Sequence, residues 1–422
     1  MAFRRKSQAE IITGLDIGST SIRVAAGQYH GDMDGNGELQ IIGATEVPSE
    51  GIHKGVISSI DETVSSLTHA LEQLERLIGV PVDHTWVGIS GTHILSQGSR
   101  GVVAAAKPDG EITPEDVERA IDAARMVAPP LNHEVLHVLP KSFIVDGQDG
   151  IKNPVGMTGI RVEVDTQIIY GVSAHIKNIT KAVYRTGIDI DDLVLSILAA
   201  GDVVTTPKQK ELGCVVIDIG GSITSMVVYE GGDIIHTATF PIGSEHITND
   251  LAIGLRTSVD VAGQVKLDFI DLGKRTFTKK DMLNLQDVGG EESEEVSLSY
   301  ISEIADARVT EILEKVDSHL QTVGCSQLLP AGAVLTGGGA RIGGLVDLTK
   351  DVLGLPAAVG YPINIQSISD KVNDVAFTTA IGLAHWGAQI YSQQGPKRRT
   401  SSSRTPGKFK EKLGEVWKSL IP

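Results

Sequence analysis

Asp16 and Asp218 stand at equivalent places in two copies of one pattern, LDIGSTSIRVAAGQY at 15–29 and IDIGGSITSMVVYEG at 217–231. In each copy an apolar, β-rich run ends in the aspartate, turns through glycine and hydroxyl residues, and resumes as a second run, at 22–26 in one and 225–229 in the other. Such a hairpin tip suits polyphosphate. Small residues let the main chain close on the phosphates, successive N–H groups and hydroxyls donate to their oxygens, and the carboxylate holds a hydrated divalent cation. A single Asp-x-Gly turn is common in β-proteins, whereas two matched copies imply a clamp. Asp16 and Asp218 would then lie near the phosphates with Mg²⁺ between them, because opposed carboxylates in a closed cleft need a cation to coexist. A third glycine cluster, AVLTGGGARIGGL at 333–345, follows an apolar run and precedes another. Its Gly337, Gly338 and Gly339 would let backbone approach a flat base or sugar without Cβ interference.

Copies some 200 residues apart fit two homologous halves, each with its own mixed sheet, and make the cleft between them the natural site. Helices that position the hairpins are legible from period: Val64, Leu67, Leu71, Leu74 and Ile78 recur at three and four residues, as do Ile301, Ile304, Val309, Ile312, Val316 and Leu320. Thr113, Pro114 and Asp116 predict a capped helix start running to about Val127. That helix falls in a stretch without the hairpin pattern. Residues 84–165 therefore read as an insertion into the first half, and the charged 244–300 as one into the second. The first half is then 10–83 with 166–198, and the second 199–243 with 301–391.

The 422 residues carry 41% hydrophobic and 21% charged side chains, which excludes wholesale disorder. Glycine at 47 residues with only 4% aromatics suits backbone-made binding loops. Cys214 and Cys325 follow no metal-ligand spacing, so reduced thiols are expected. The basic start, 1–9, lacks a following apolar segment and no run spans a bilayer, so a cytosolic protein is expected. The formal charge of −16 hides an asymmetry: 396–422 holds eight Lys/Arg and two Asp/Glu, leaving −22 on 1–395. Such a body repels nucleic acid.

With the two phosphate hairpins and the glycine-rich loop in this order, the chain resembles the actin-like ATPase superfamily. Within it, the chain is similar to the FtsA family of bacterial cell division proteins over nearly its whole length. The most specific runs are EGIHKGVI (50–57), EVLHVLPKSF (134–143), GIKNPVGMTGIRVEV (150–164), AVLTGGGARIGGL and FTTAIGLAHWG (377–387). The resemblance implies a duplicated, ribonuclease H-like α/β fold with a nucleotide cleft, and ATP with Mg²⁺ as ligands. Asp16, Gly18, Ser19, Thr20 and Ser21 would form the first phosphate loop, and Asp218, Gly220, Gly221, Ser222 and Thr224 the second. Gly243, Lys266 and Gly337, Gly338 and Gly339 would hold ribose and adenine. It also implies that the protein polymerises with itself, that 84–165 meets late division proteins, and that 244–300 docks the tail peptide of the tubulin-like FtsZ. One departure stands out: where the family commonly has Ala-Glu-x-x-Lys, this chain has Ala262, Gly263, Gln264, Val265 and Lys266. Losing a ribose contact of that kind would weaken binding by about 1.5–3 kcal/mol.

Holding ATP does not supply a base or a group that positions water. In SILAAGDVVTTP (196–207) the only ionisable residue is Asp202, so slow or negligible turnover is expected.

The C-terminal segment is a separate object. Residues 392–407 are apolar-free and rich in Ser, Gly, Pro and basic residues, which predicts a linker. In 408–422, Phe409, Leu413, Val416, Trp417, Leu420 and Ile421 follow the 3.6 period over an arc of about 140°. Lys412 and Lys418 take the opposite face and Lys410 the margin, where it can snorkel. Fourteen residues give a helix of about 21 Å, too short to span a bilayer. The helix either docks on the body or lies on an anionic membrane surface; the linker before it and its lysine-tryptophan composition favour the membrane. The expectation is thus an ATP-binding division protein that tethers FtsZ filaments to the cytoplasmic face of the membrane. A scaffold of a pilus or secretion system and a small-molecule kinase of the same fold are the alternatives.

Overall fold

The computed structural model describes residues 10–31, 37–272, 277, 281–291 and 293–394. Its two main sheets repeat one strand order. In the first half, strands run Gly37–Pro48, Ser21–Gly31, Glu10–Ile17, His84–Ile89, Asp189–Leu195, with the short Gln366–Ser367 added at the outer edge. In the second half the order is Asp233–Phe240, Thr224–Glu230, Cys214–Ile219, Gly332–Thr336, Ala357–Val359. In both, an antiparallel hairpin is followed by parallel strands added beside its first strand. The sequence repeat is therefore a structural duplication, with Asp16 paired to Arg23 and Asp218 to Ser225 one step below the tips.

Helix Ile60–Ile78 lays Leu67, Ala70, Leu71 and Leu74 on one face of the first sheet. Helix Leu298–Thr322 buries Ile301, Val309, Ile312, Val316 and Leu320 in the second core. Two further helices bridge the halves. Ser196–Val204 leads from the first half to the second, and Thr378–Gln394 returns from the second to pack on the first sheet. They touch at Gly382, where a Cβ would stand 2.2 Å from the Ala199 carbonyl oxygen. No larger residue allows that approach, so the helix crossing that fixes the two halves depends on this glycine. Among the described residues no helix is long and apolar enough to cross a membrane.

The insertion in the first half is a four-stranded antiparallel sheet ordered Ile94–Ala104, Arg161–Val172, His133–Val145, Gln148–Ile151. Helix Pro114–Arg125 covers it, capped by Thr113, which accepts from the Asp116 N–H while the Asp116 carboxylate accepts from the Thr113 N–H. The expected bounds of 84–165 differ from this arrangement at both ends. His84–Ile89 pairs in parallel with both Glu10–Ile17 and Asp189–Leu195, so it belongs to the first sheet, and the last inserted strand runs on to Val172. The strand's second half, from Val87 to Ile89, is buried throughout, so it shows no alternation that would have marked it as a sheet member. In the second half, 244–300 holds helices Ser244–Gly254 and Val259–Phe269 and the small hairpin Met282–Asn284 with Glu295–Ser297. The expected linker begins later than 392, because residues 392–394 complete the last turn of helix Thr378–Gln394. The rest of the linker and the 408–422 helix lie outside the described residues.

Candidate functional site: a cleft between two hairpin tips

The tips are built alike. The Gly18 N–H donates to the Ser21 carbonyl at 3.1 Å, and the Gly220 N–H to the Ile223 carbonyl at 2.9 Å, closing the same turn in each copy. A Cβ would stand 2.6 Å from the Ser21 oxygen at the first glycine and 2.9 Å from the Ile223 oxygen at the second. The tips also meet: a Cβ at Gly221 would lie 2.4 Å from Cγ2 of Thr20. Asp16, Gly18, Ser19, Thr20, Asp218, Gly220, Gly221, Ser222, Gly337 and Gly338 consequently line one cavity of about 60 Å³. It adjoins a second of about 250 Å³, whose walls include Ser21, Glu245, Lys266, Gly339 and Arg341. Thirteen of the fifteen residues expected to hold nucleotide thus face these two spaces.

Thr224 and Gly243 do not. Thr224 is fully buried, and its hydroxyl donates to the Ile242 carbonyl at 2.8 Å, so it anchors the second hairpin from behind. Gly243 precedes helix Ser244–Gly254, which docks on the hairpin through the Ser244 and Glu245 N–H groups, donated to the Gly220 and Gly221 carbonyls at 2.9 and 2.8 Å. A Cβ at Gly243 would sit 2.4 Å from the Gly221 oxygen, so its role is close packing. Ser222 faces the cleft, but its hydroxyl is already donated to the Glu245 carboxylate.

Both aspartates are half-buried in the tips. Burial pushes the Asp16 carboxyl up to about 7, with the Arg23 guanidinium pulling down and the Asp218 charge pushing further up. Burial also raises Asp218, against a hydrogen bond from the Thr379 hydroxyl at 3.3 Å and the pull of Arg23. Two carboxylates that resist ionising side by side are what a hydrated divalent cation relieves. Among the described residues no group of three or more His, Cys, Asp or Glu could hold a metal alone, so water and phosphate oxygens would complete the shell of a cation here.

Beyond Gly337, whose φ of +83° sets the loop against Asp218, several contributors escaped the sequence reading. Arg23 lines both cavities, paired to Glu46 at 2.6 Å, with its buried Nε lacking an acceptor. A lone cation one step past a hairpin tip, on the strand face shared with Ser21, was the available signal. Thr379 and Ser196 enter from the two bridging helices and had no local signature. Burial lowers the Lys266 ammonium, opposed by Glu245, and its Nζ donates to the Ser244 carbonyl at 3.4 Å. The missing glutamate at Gly263 leaves open space: a Cβ there meets only Thr248, at 4.0 Å.

Because Asp16 holds its proton more tightly folded than unfolded, where its pKa is about 3.9, the metal-free protein loses stability as pH rises from about 4 to 7 and none of that share is lost above. Asp16→Asn removes this slope. In chelator at about pH 8 the variant should be more stable than the parent by about 1–3 kcal/mol, the gap narrowing toward about pH 5.5. Urea unfolding at the two pH values reads it; a variant less stable at the higher pH would contradict the electrostatics described.

Residues 215–382 match the family described as cell division protein FtsA, and residues 91–170 match the SHS2 domain inserted in FtsA. The second match falls on the inserted four-stranded sheet. Among curated proteins, the chain is 37% identical to the cell division protein FtsA of Bacillus subtilis, covering 92% of this chain and 86% of that one. It is 34% identical to FtsA of Pseudomonas aeruginosa, covering 91% and 90%, and 31% identical to FtsA of Escherichia coli, covering 92% of each. Solved structures are more distant in sequence. A chain of the PilM-PilN type IV pilus biogenesis complex superposes with a TM-score of 0.64 at 16% identity, over 89% of this chain and 98% of that one. MreB5 of Spiroplasma citri bound to ADP gives 0.53 at 12%, over 92% and 99%. These neighbours share the actin-like fold, which the duplicated strand order also displays.

Proposed function

This chain belongs to the FtsA family of cell division proteins, and from that premise we propose that it binds ATP with Mg²⁺ in the cleft and uses the nucleotide chiefly as a conformational ligand. It is an actin-like division protein. The observation that carries the nucleotide reading is the meeting of two acidic hairpin tips closed by the same turn and a positive-φ glycine loop around one cavity. The structural neighbour bound to ADP shares this fold.

In this reading the N–H groups of Ser19, Thr20 and Gly221 and the hydroxyls of Thr20 and Ser21 receive the phosphates, while the Gly18 and Gly220 N–H groups close the turns that present them. Ser222 joins them once its proton leaves Glu245. Asp16 and Asp218 orient the waters of Mg²⁺, whose charge offsets both carboxylates. Lys266, Arg341 and the backbone of Gly337, Gly338 and Gly339 receive the nucleoside. Because the ligands come from both halves, nucleotide favours the closed arrangement, and a differential affinity for closed over open suffices to bias assembly. Hydrolysis is not needed. Among the described residues the only Glu residues on the cleft walls are Glu46, engaged by Arg23, and Glu245, engaged by Ser222, and no Gln lines either cavity. ATP should bind by calorimetry while phosphate release stays below about one turnover per second. Release at several per second, or no binding, would defeat this reading.

The protein would polymerise on the cytoplasmic face of the membrane at the division site and hold FtsZ filaments there. Residues 244–300 would receive the FtsZ tail peptide, the inserted sheet the late division proteins, and 408–422 the anionic lipids. Its acidic body keeps it off nucleic acid.

A further inference from the structure

A cavity of about 500 Å³ lies apart from the nucleotide cleft, where the inserted sheet, the two bridging helices and the second half come together. Its size is that of a site for a small organic molecule. Phe143 of the inserted sheet, Leu198 and Trp386 of the bridging helices and Tyr229 and Ile234 of the second sheet give it a largely apolar wall. Its polar groups are unequally matched. Lys210 is paired with Asp202 at 2.7 Å, and Lys152 is paired with Asp233. Lys141, half-buried on the same wall, is in contact with no carboxylate among the described residues and donates to the Ile235 carbonyl at 2.9 Å. Asp165 and Asp233 attract it from a distance, but Asp165 is held by Arg100 at 2.7 Å and Asp233 by Lys152, and Glu211 is exposed. A second donor in these walls, the indole N–H of Trp386, is buried without an acceptor. A half-buried ammonium with no carboxylate in contact, beside an apolar wall, is complementary to a molecule with one anionic end and an apolar body.

We propose that this cavity binds a small amphipathic carboxylate, its anionic end on Lys141 and its apolar body between Phe143, Leu198 and Trp386. Because the walls come from both halves, the ligand responds to their relative position, and its affinity and that of the nucleotide are coupled reciprocally.

The test is calorimetry on the full chain with ATP and Mg²⁺ in excess, so that the cleft is occupied, using indole-3-acetate as probe and tryptamine as its cationic counterpart. Indole-3-acetate should bind saturably at one site and tryptamine should not. Lys141→Gln should weaken binding by about tenfold or more, while Lys141→Arg keeps it within about threefold. Ile234→Trp, which enlarges a partly exposed wall residue and leaves Lys141 in place, should abolish it. No saturable binding, equal binding of the amine, or unchanged affinity in a folded Lys141→Gln or Ile234→Trp protein would overturn the proposal.

Discussion

Gly337→Ala protein will fold and will bind ATP at least about a hundredfold more weakly than the parent, while Gly338→Ala protein will stay within about tenfold. The two glycines are neighbours in the same loop and differ in what a methyl group meets. At Gly337 the backbone has φ +83°, and a Cβ would stand 2.0 Å from Asp218 Oδ1 and 2.8 Å from the Ile219 carbonyl. The left-handed conformation alone costs an alanine about 1–2 kcal/mol. Relieving the overlap also moves the Asp218 carboxylate off the Thr379 hydroxyl, or moves the loop that would carry the nucleoside. At Gly338 a Cβ meets nothing nearer than Arg23 Nη2 at 3.8 Å, an ordinary contact. The strand below the loop, Gly332–Thr336, is buried along its length, so a loss of about 2–3 kcal/mol at the cleft leaves a protein of ordinary stability folded. Calorimetry with thermal melts as the folding control reads both variants. Equal affinities in the two would show that the loop does not hold the ligand.

Ending the chain at Gly407 will abolish sedimentation with vesicles of anionic lipid and leave nucleotide binding unchanged. Wound as a helix, 408–422 would bring its six apolar residues to one face with Lys412 and Lys418 opposite, and each nearby Lys or Arg contributes about 1 kcal/mol at an anionic surface. Partial insertion of side chains worth about 1.5–3 kcal/mol each when fully buried would make one tail a reversible anchor. Many tails on one polymer raise the effective concentration, so sedimentation of the full chain should rise with ATP and with protein concentration. FtsZ polymers should reach the vesicles only with the full chain present. Equal sedimentation of the shortened and full chains would place attachment elsewhere.

Both predictions rest on features legible in the sequence to different degrees. The hairpins are readable because an apolar, β-rich run, an aspartate and a glycine turn are all local, and the repetition of the set makes a common fold for both halves the economical reading. Helices Ile60–Ile78 and Leu298–Thr322 announced themselves by period. What escaped was tertiary. Thr224 looked like any loop hydroxyl until its bond to Ile242 buried it, and Gly243 like any ligand-loop glycine until a helix start was seen pressed on the Gly221 carbonyl. His84–Ile89 was assigned to the insertion because the surrounding stretch lacked the hairpin pattern, whereas its partners, Gly14 and Leu15 on one side and Asp189–Leu195 on the other, are far away in the chain. Arg23 was passed over as one charge in a strand; only the meeting of the halves shows that it serves both cavities.

The most direct measurement replaces Mg²⁺ by Mn²⁺ in crystals grown with a non-hydrolysable ATP analogue and locates the metal by its anomalous scattering. The predicted result is one peak between the Asp16 and Asp218 carboxylates, beside the phosphates, absent from crystals of Asp218→Asn protein. A nucleotide seated away from both hairpin tips, or a metal peak remote from the two aspartates, would contradict the account.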